Sequence, residues 1–147
     1  MRLGLPDWTI RNATESDIAP VLRLWETAGS PPSVSDTHES VSRLLTTDRD
    51  ALLIAESEDG MVIGSLIASW DGWRGSFYRL AVHLDRRRQG IATTLLRAGE
   101  RRLRERGALR LTSIVVEDDS AAMGFWEAAG YERQGDRTRF VRGTDER

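Results

Sequence analysis

The sequence predicts a mixed α/β domain, and three observations support this fold class. The chain has 147 residues, a length that suits one compact domain. Segments with the apolar spacing of helices alternate with segments typical of strands, in the order β-α-α-β-β-β-α-β-α-β-β. No internal repeat, linker or low-complexity stretch interrupts this order. We therefore expect a single domain over residues 8–147, after a short N-terminal leader of residues 1–7.

The first elements are a short strand and a helix. Trp8 to Arg11 has the character of a strand. Thr14 then offers a helix N-cap, with Asp17 three residues later in the position of a capping box. The helix is expected to end near Gly29, because Pro31-Pro32 prevents its continuation.

The middle of the chain predicts a weaker helix and then an antiparallel meander. Helical spacing of apolar residues covers Val34–Leu45. Three strand-like segments follow, joined by turns that contain Asp59-Gly60 and Asp71-Gly72. These segments are Ala51–Glu56, Met61–Trp70 and Ser76–His83.

A long helix is the most regular element of the sequence. It begins at Gly90 or Ile91 and runs to about Arg106, where Gly107 stops it. Its expected buried stripe consists of Ile91, Leu95, Leu96, Gly99 and Leu103. The charged residues expected to face water are Arg97, Glu100, Arg101, Arg104 and Glu105.

The C-terminal part predicts a strand, a helix and a hairpin. Leu109–Val116 is apolar enough for a buried strand. Asp118, Asp119 or Ser120 can cap the next helix, which should end at Gly130. The final hairpin is expected to consist of Tyr131–Gln134 and Thr138–Arg142.

Composition excludes several functions. The chain has no cysteine, which rules out disulfides, thiolate metal sites and a cysteine nucleophile. His38 and His83 lie far apart and have no neighbours with metal-ligand spacing, so no metal is expected. A formal net charge of −2 and a pI near 5.7 argue against a nucleic-acid partner. With no signal-peptide pattern and no apolar run long enough to cross a membrane, we expect a cytoplasmic protein without a membrane partner.

The segment most informative about function is a strand, a short loop and the start of the long helix. It consists of Tyr78-Arg79-Leu80-Ala81-Val82 and then Arg87-Arg88-Gln89-Gly90-Ile91-Ala92. A helix N-terminus presents unpaired N–H groups and the positive end of the helix dipole, which together bind phosphate. Gly90 lets an anion approach closely, and Arg87 and Arg88 can add charge at the rim. The alternative is an ordinary strand-to-helix turn with solvated arginines.

The same segment resembles the acyl-CoA-binding motif of the GNAT superfamily of N-acetyltransferases. The family signature is Gln/Arg-x-x-Gly-x-Gly/Ala, which Arg87, Gly90 and Ala92 satisfy after a strand that ends Leu-Ala-Val. Further along, Ala122 to Tyr131 is similar to the family's Ala-x-x-Phe-Tyr-Glu-x-x-Gly-Phe/Tyr segment. The resemblance covers residues 8–142, almost the whole chain.

This resemblance implies a mainly antiparallel sheet that splays apart between its fourth and fifth strands, with acetyl-CoA as co-substrate in the splay. Main-chain groups of Leu80 and Val82 would pair with the pantetheine arm, and one amide there would polarise the thioester carbonyl. The N–H groups of Arg88 to Ala92 would hold the pyrophosphate. An amine of a small molecule or peptide would attack the thioester directly, and such domains often pair as homodimers. The residues expected to contact acetyl-CoA are Leu80, Ala81, Val82, Arg87, Arg88, Gln89, Gly90, Ile91, Ala92, Thr93, Asp119, Phe125 and Trp126.

The chain departs from the family pattern at the catalytic positions. Trp126 stands where the family places a tyrosine acid, and an indole N–H does not usefully protonate a thiolate. The strand glutamate that many members use as a base is missing as well. Tyr78 is the candidate catalytic acid, with the filling of a sheet face as the alternative. Glu117 or Asp71 could act as a base through water, or each could be only a turn or cap residue.

These departures leave two hypotheses open. The leading hypothesis is an acetyl-CoA-dependent N-acetyltransferase, and the other is a non-catalytic acyl-CoA-binding or regulatory module on the same fold. A thiol with a pKa of ~8.5 is a fair leaving group without an acid, and positioning with carbonyl polarisation can supply most of the rate. The chemistry therefore favours catalysis.

Overall fold

The computed structural model describes residues 6–29 and 31–144, and its elements follow most of the predicted order. Short 3-10 helices at Glu15–Asp17 and Leu84–Arg86 supplement the longer elements. The described chain divides into two compact units, the first ending at Ser113 and the second beginning at Ile114. The longer elements are β1 (Trp8–Asn12), α1 (Ile18–Thr27), α2 (His38–Thr47), β2 (Leu52–Ser57), β3 (Val62–Trp70), β4 (Gly75–Val82), α3 (Ile91–Arg106), β5 (Leu111–Ser113) and α4 (Ser120–Ala128).

The sheet lies in the first unit and has the strand order β1-β2-β3-β4-β5. The first three pairings are antiparallel, and the β4–β5 pairing is parallel. This last pairing is short, since it joins only Gly75–Phe77 to Leu111–Ser113 while β4 continues to Val82. The predicted fold class, a mixed and mainly antiparallel splayed sheet flanked by helices, is confirmed.

The two faces of the sheet pack against different helices, as the alternation of side chains along β3 shows. Ile67 packs against the apolar cluster that α1 and α2 complete. Leu66 and Ala68 point to the other face, where both lie beside Gly99 of α3. Burying a large aliphatic side chain contributes about 1.5–3 kcal/mol, so both layers stabilise the sheet substantially. Buried members of the α1–α2 cluster include Ile18, Val21, Leu24, Trp25, Val41, Leu45, Leu52, Ile54 and Ala81.

Helix α3 approaches the sheet so closely that a Cβ on the glycines at the contacts would force neighbouring side chains to shift. A Cβ on Gly64 would lie 2.9 Å from Cγ2 of Ile91, and one on Gly75 would lie 2.7 Å from Cδ1 of Leu103. A Cβ on Gly99 of the helix itself would lie 3.0 Å from both Leu66 and Phe77. The predicted stripe of α3 is buried at every position.

The capping box predicted before α1 is present and is tied to the sheet. The Asp17 carboxylate accepts hydrogen bonds from the Thr14 amide at 2.7 Å and the Thr14 hydroxyl at 3.1 Å. It also accepts hydrogen bonds from both terminal guanidinium nitrogens of Arg11, Nη1 at 2.8 Å and Nη2 at 2.9 Å. Arg11 donates in addition to Glu56 of β2 at 2.7 Å. These hydrogen bonds, those of Arg11 first, hold the pKa of Asp17 below its usual range.

One predicted orientation on α3 is wrong. Glu100 was expected to face water, but it is only 7% exposed and forms an ion pair with Arg97 at 2.7 Å. It lies four residues after Leu96 and three before Leu103, and therefore falls within the apolar stripe. A partner on the same helix makes this position tolerable for a carboxylate.

The predictions for the chain termini also differ from the structure. Asp7, assigned to a leader, accepts a hydrogen bond from Arg86 at 2.7 Å and is therefore tied to the loop after β4. The predicted strand Leu109–Val116 shrinks to Leu111–Ser113, because only these residues pair with β4. The predicted final hairpin is wrong over the described residues 131–144, which form no strand. Phe140, an apolar residue of this segment, is 91% exposed.

Candidate active site

The loop before α3 carries a run of unpaired main-chain donors. Within the described chain, the N–H groups of Arg88 to Thr93 donate to no protein acceptor, and the first helical bond runs from Thr94 to the Gly90 carbonyl at 3.0 Å. Two residues of the loop adopt the left-handed conformation, Arg88 with φ 64° and Gly90 with φ 82°. Left-handed residues within such a loop turn successive N–H groups towards a common concavity, which is a typical anion site.

The electrostatics of this loop favour an anion. Helix α3 spans Ile91–Arg106 and ends at the left-handed Gly107. The aligned peptide dipoles of this helix place roughly +0.5 of an elementary charge at its N-terminus, next to the loop. Gly90 is exposed, and a Cβ there would meet nothing within 4 Å. The Ile91 side chain is buried under the sheet, so Ile91 can offer only its N–H group. The predicted phosphate site, Arg87 to Ala92, lies in this loop and at the start of α3, and its binding of a phosphate stays a prediction.

The Arg87 side chain is engaged with main-chain carbonyls. Its Nη2 donates to the Ala28 carbonyl at the end of α1 at 3.0 Å, and its Nε reaches the Val82 carbonyl at 3.4 Å. The neighbouring Arg86 binds Asp7 and the side chain of Gln89, the latter at 3.2 Å. The two contacts of Arg87 hold the loop against the end of α1 and the end of β4. The sequence did not predict this role.

Strand β4 offers an open edge next to this loop. The His83 amide donates to the Ile63 carbonyl of β3 at 2.8 Å. Because main-chain groups alternate in direction along a strand, Ala81 also turns to β3, whereas Leu80 and Val82 turn to the opposite edge. In the described chain no strand pairs with that edge beyond Phe77. Leu80 and Val82, the predicted pantetheine contacts, therefore face the open edge, where Nε of Arg87 approaches the Val82 carbonyl. The Ala81 side chain belongs to the core. Contact of these residues with acetyl-CoA stays a prediction.

A bulge interrupts β4 just before this edge. Ser65 pairs with Ala81 but Ile67 pairs with Tyr78, so two residues of β4 stand opposite Leu66 alone. The first of these two residues, Arg79, has φ 54°, a conformation that costs a residue with a side chain roughly 1–2 kcal/mol. The bulge also exchanges the faces of the strand: Phe77 lies beside α3, whereas Ala81 packs with α1 and α2.

Contacts from both its main chain and its side chain fix Arg79. The Ser65 hydroxyl donates to the Arg79 carbonyl at 2.8 Å and itself accepts from Nε1 of Trp25 at 2.8 Å. The Arg79 guanidinium forms an ion pair with Asp36, donates to the Pro31 carbonyl at 3.1 Å and lies 5.3 Å from the Trp25 ring centre. This cluster is not among the features that the sequence predicted. Its one visible signal was Ser65, a small polar residue inside an apolar strand.

Tyr78, the candidate catalytic acid, remains half exposed. It pairs with Ile67, which points towards α1 and α2, yet 50% of Tyr78 is accessible to solvent. Within the described chain its hydroxyl makes no hydrogen bond. Tyr78 therefore covers part of a sheet face but is not buried there. The catalytic role of Tyr78 stays a prediction.

Asp71 is a turn residue. Its Oδ1 accepts from the amides of Arg74 at 2.6 Å and Trp73 at 2.8 Å, and these bonds hold its pKa below the usual range. A low pKa makes Asp71 a weak base, so the alternative of a base through water is not favoured here. Trp73 is exposed and stacks on Arg74, with the guanidinium carbon 4.1 Å from the ring centre.

The second unit contains the remaining predicted residues. Asp119 caps α4 by accepting from the Ala122 amide at 2.9 Å, as the sequence predicted. The Trp126 ring meets Phe125 edge-on at 5.6 Å between centres and Tyr131 at 5.0 Å. Glu117 reaches Arg133 at 3.3 Å. Contacts of Asp119, Phe125 and Trp126 with a ligand stay a prediction.

Comparison with known proteins identifies the family. The model of the GNAT acetyltransferase family matches residues 20–131. An acetyltransferase of Yersinia enterocolitica is 37% identical over 125 residues, which cover 85% of this chain and 88% of the relative. An acetyltransferase of Pectobacterium atrosepticum is 37% identical over 123 residues, covering 84% and 86%. The chain belongs to the GNAT family of acetyltransferases, so both the resemblance and the assignment as an acetyltransferase are confirmed.

Solved structures share the fold at lower sequence identity. Ard1 from Thermoplasma volcanium has a TM-score of 0.76 at 23% identity, covering 85% of this chain and 82% of that one. The aminoglycoside N-acetyltransferase AAC(6')-Iy in complex with CoA has a TM-score of 0.75 at 20% identity, covering 98% and 99%. Over the described residues of the present chain, no helix is long and apolar enough to cross a membrane.

Proposed function

We propose that this chain is an acetyl-CoA-dependent N-acetyltransferase that acts on an amine of a small molecule or a peptide. The observation that carries the proposal is the run of unpaired N–H groups from Arg88 to Thr93, beside the open edge of β4. A CoA thioester combines a pyrophosphate with an arm that contains two amides. An anion site next to an unpaired strand edge suits both parts of such a molecule.

Each part of the site takes a separate role in this proposal. The N–H groups of Arg88 to Ala92 hold the pyrophosphate, with Gln89 and Thr93 at its margins. Main-chain groups of Leu80 and Val82 pair with the pantetheine amides. Contacts from Asp119, Phe125 and Trp126 are proposed on the family resemblance alone.

The reaction is a direct transfer in a ternary complex. The lone pair of the neutral amine attacks the thioester carbonyl carbon, a C–N bond forms, and the C–S bond breaks with its electron pair on sulfur. The amine loses one proton to solvent, and the products are an N-acetyl amide and CoA. Because the chain has no cysteine, it cannot carry the acetyl group as a cysteinyl thioester. A main-chain amide of β4 stabilises the carbonyl oxygen as charge develops on it.

The leaving thiolate departs without a protein acid in this proposal. Trp126 occupies the position of the family's tyrosine, and an indole cannot supply the proton. A thiol of pKa ~8.5 leaves readily as its anion, and water protonates it afterwards. Tyr78 is the one candidate for a protein acid and is tested below.

Trp126, in place of the family's tyrosine, also supports the alternative function, a non-catalytic acyl-CoA-binding module.

Release of free thiol from acetyl-CoA with a panel of amines distinguishes the enzyme from the binding module. The panel should contain peptides with free N-termini, polyamines and aminoglycosides, the last because the structural neighbour AAC(6')-Iy acts on them. Thiol release with any amine supports the enzyme. Thermal stabilisation by acetyl-CoA without release from any amine favours the binding module. Ligand at 100 times its Kd should add about 2.7 kcal/mol, and no stabilisation by acetyl-CoA or CoA would contradict both.

A further inference from the structure

The bulge at Arg79 decides which main-chain groups face the open edge of β4. If Arg79 adopted an ordinary strand conformation, the strand after it would slip by one residue against β3. Leu80 and Val82 would then turn to β3, and Ala81 would turn to the open edge. The left-handed conformation of this one residue therefore sets the register of every group that the strand offers to a ligand.

The surroundings, and not the residue type, impose this conformation. Arginine has no intrinsic preference for a positive φ, so the conformation persists only where contacts over-determine it. Ser65 supplies one such contact, because it is fully buried and its hydroxyl connects the Arg79 carbonyl to Trp25 of α1. The second contact is the ion pair between Arg79 and Asp36, whose side chains are only 15% and 18% exposed, respectively.

The Asp36 contact extends the effect of Arg79 to the loop between α1 and α2. Asp36 accepts from the Ser33 amide at 3.0 Å as well as from Arg79, and the Pro31 carbonyl accepts from the same guanidinium. The conformation of this loop and the register of β4 thus depend on one side chain.

We propose that Arg79 is a positioning residue for acetyl transfer. It fixes the bulge and thereby aims the main-chain amide that polarises the thioester carbonyl, without itself touching the reacting atoms. This inference rests on the proposed function, because it needs acetyl-CoA to lie along β4.

A pair of variants at the same position tests the proposal. Arg79→Ala and Arg79→Gly both lose the contacts to Asp36, Pro31 and Trp25, but only glycine adopts the left-handed conformation without steric cost. Each protein is titrated with acetyl-CoA labelled with 13C at the carbonyl, and the bound chemical shift reports the polarisation of that carbonyl. Arg79→Ala should lose more than half of the shift difference between bound and free ligand, whereas Arg79→Gly should keep most of it. Arg79→Gly should bind acetyl-CoA within about threefold of the wild-type Kd. Arg79→Ala should bind it more weakly, because the slipped strand no longer presents Leu80 and Val82 to the pantetheine arm, but binding should persist because the amides of Arg88 to Thr93 are unchanged.

A second pair probes the main-chain anchor. Ser65→Ala removes the bond to the Arg79 carbonyl and should reduce the carbonyl shift in the same way. Ser57→Ala is the matched control, because Ser57 is also a buried serine of the sheet but bonds Asp59 and the Met61 amide at the β2–β3 turn. Ser57→Ala should leave the carbonyl chemical shift of bound acetyl-CoA and the Kd for acetyl-CoA unchanged.

The outcomes separate this inference from the proposed function. Wild-type shifts in both Arg79→Ala and Arg79→Gly, or an unchanged shift in folded Ser65→Ala, would overturn the positioning role. If Ser65→Ala does not fold, the two Arg79 variants still decide the matter. A wild-type protein that binds no acetyl-CoA would instead contradict the proposed function itself.

Discussion

Gly90 and Gly60 share nearly the same backbone conformation, with φ of 82° and 83°, and a Cβ at either position would meet nothing within 4 Å. One lies at the start of α3 and the other in the β2–β3 turn. A substitution at either glycine therefore costs the fold a similar amount. Only at Gly90 does the new side chain enter the proposed phosphate site.

Gly90→Glu should abolish the binding of CoA while Gly60→Glu leaves it intact. The glutamate at position 90 places bulk and negative charge where the pyrophosphate must lie. The measurement is CoA affinity by calorimetry, with the melting temperature of both variants as the control for folding. Unchanged affinity in Gly90→Glu would move the phosphate site elsewhere.

Arg87→Ala should weaken CoA binding less than about tenfold. Its guanidinium is engaged with the Ala28 and Val82 carbonyls, so its loss removes a partly screened charge and loosens the loop, an effect of about 1 kcal/mol. Arg101→Ala, on the exposed side of α3, controls for the change in net charge. A loss beyond about a hundredfold in Arg87→Ala alone would mean that Arg87 releases these carbonyls and binds the phosphate directly.

Tyr78→Phe should leave turnover within about threefold of wild type, because the thiolate departs without a protein acid. The assay is thiol release with the best acceptor amine, together with the Kd for acetyl-CoA. General acid catalysis contributes typically 10²–10⁴-fold where it limits the rate, so a loss of about that size with unchanged Kd would assign the acid to Tyr78.

Trp126→Tyr restores the residue type that the family places at this position. CoA binding should persist, and turnover should rise if protonation of the thiolate contributes to the barrier. Phe125 and Tyr131 contact the Trp126 ring, so the melting temperature must be measured alongside the kinetics. Loss of CoA binding in a folded Trp126→Tyr protein would show instead that the indole itself is needed for the ligand.

Asp17→Asn should destabilise the fold in a pH-dependent way. The folded-state pKa of Asp17 lies below its ordinary value of 3.8, so the carboxylate stabilises the fold above that pH and loses this effect as the pH falls through the folded pKa. The variant should cost about 1.5–3 kcal/mol at pH 7, the usual size for hydrogen bonds to a charged group. Urea unfolding at pH 7 and below 3.8 measures the difference, which should shrink in acid. Glu26→Gln, at an exposed position on α1, is the control for the loss of one carboxylate and should change the free energy of unfolding at pH 7 by less than about 0.5 kcal/mol.

The elements that the sequence predicted well are those with strong local signals. The spacing of Ile91, Leu95 and Leu103 defined α3, and the glycines at its ends defined its bounds. The unpaired donors before α3 follow from the same local pattern, since they are a property of every helix N-terminus, while their binding of a phosphate stays a proposal. The helix caps at Thr14 and Asp119 also depend only on neighbours in sequence.

Features that depend on distant residues were not predictable in this way. The left-handed Arg79 is set by Ser65 and Asp36, which lie on other elements. Glu100 was expected to be exposed because it is charged, but its position on the helix places it within the apolar stripe, where it is buried. The expected hairpin after Tyr131 failed because alternation along a segment says nothing about whether a partner strand is there.

The glycine contacts beneath α3 give the site a fixed internal spacing. With Ile91 packed on Gly64 and Leu103 packed on Gly75, the helix cannot come closer to the sheet without a steric clash, and it cannot rise from the sheet without opening voids in the core. The separation between the amides before Ile91 and the open edge of β4 is consequently established during folding, before any ligand arrives. The proposed binding of acetyl-CoA therefore needs little ordering of this part of the protein, which favours affinity. A larger residue at Gly99 should displace the proposed anion site from a distance, by shifting the helix that carries it.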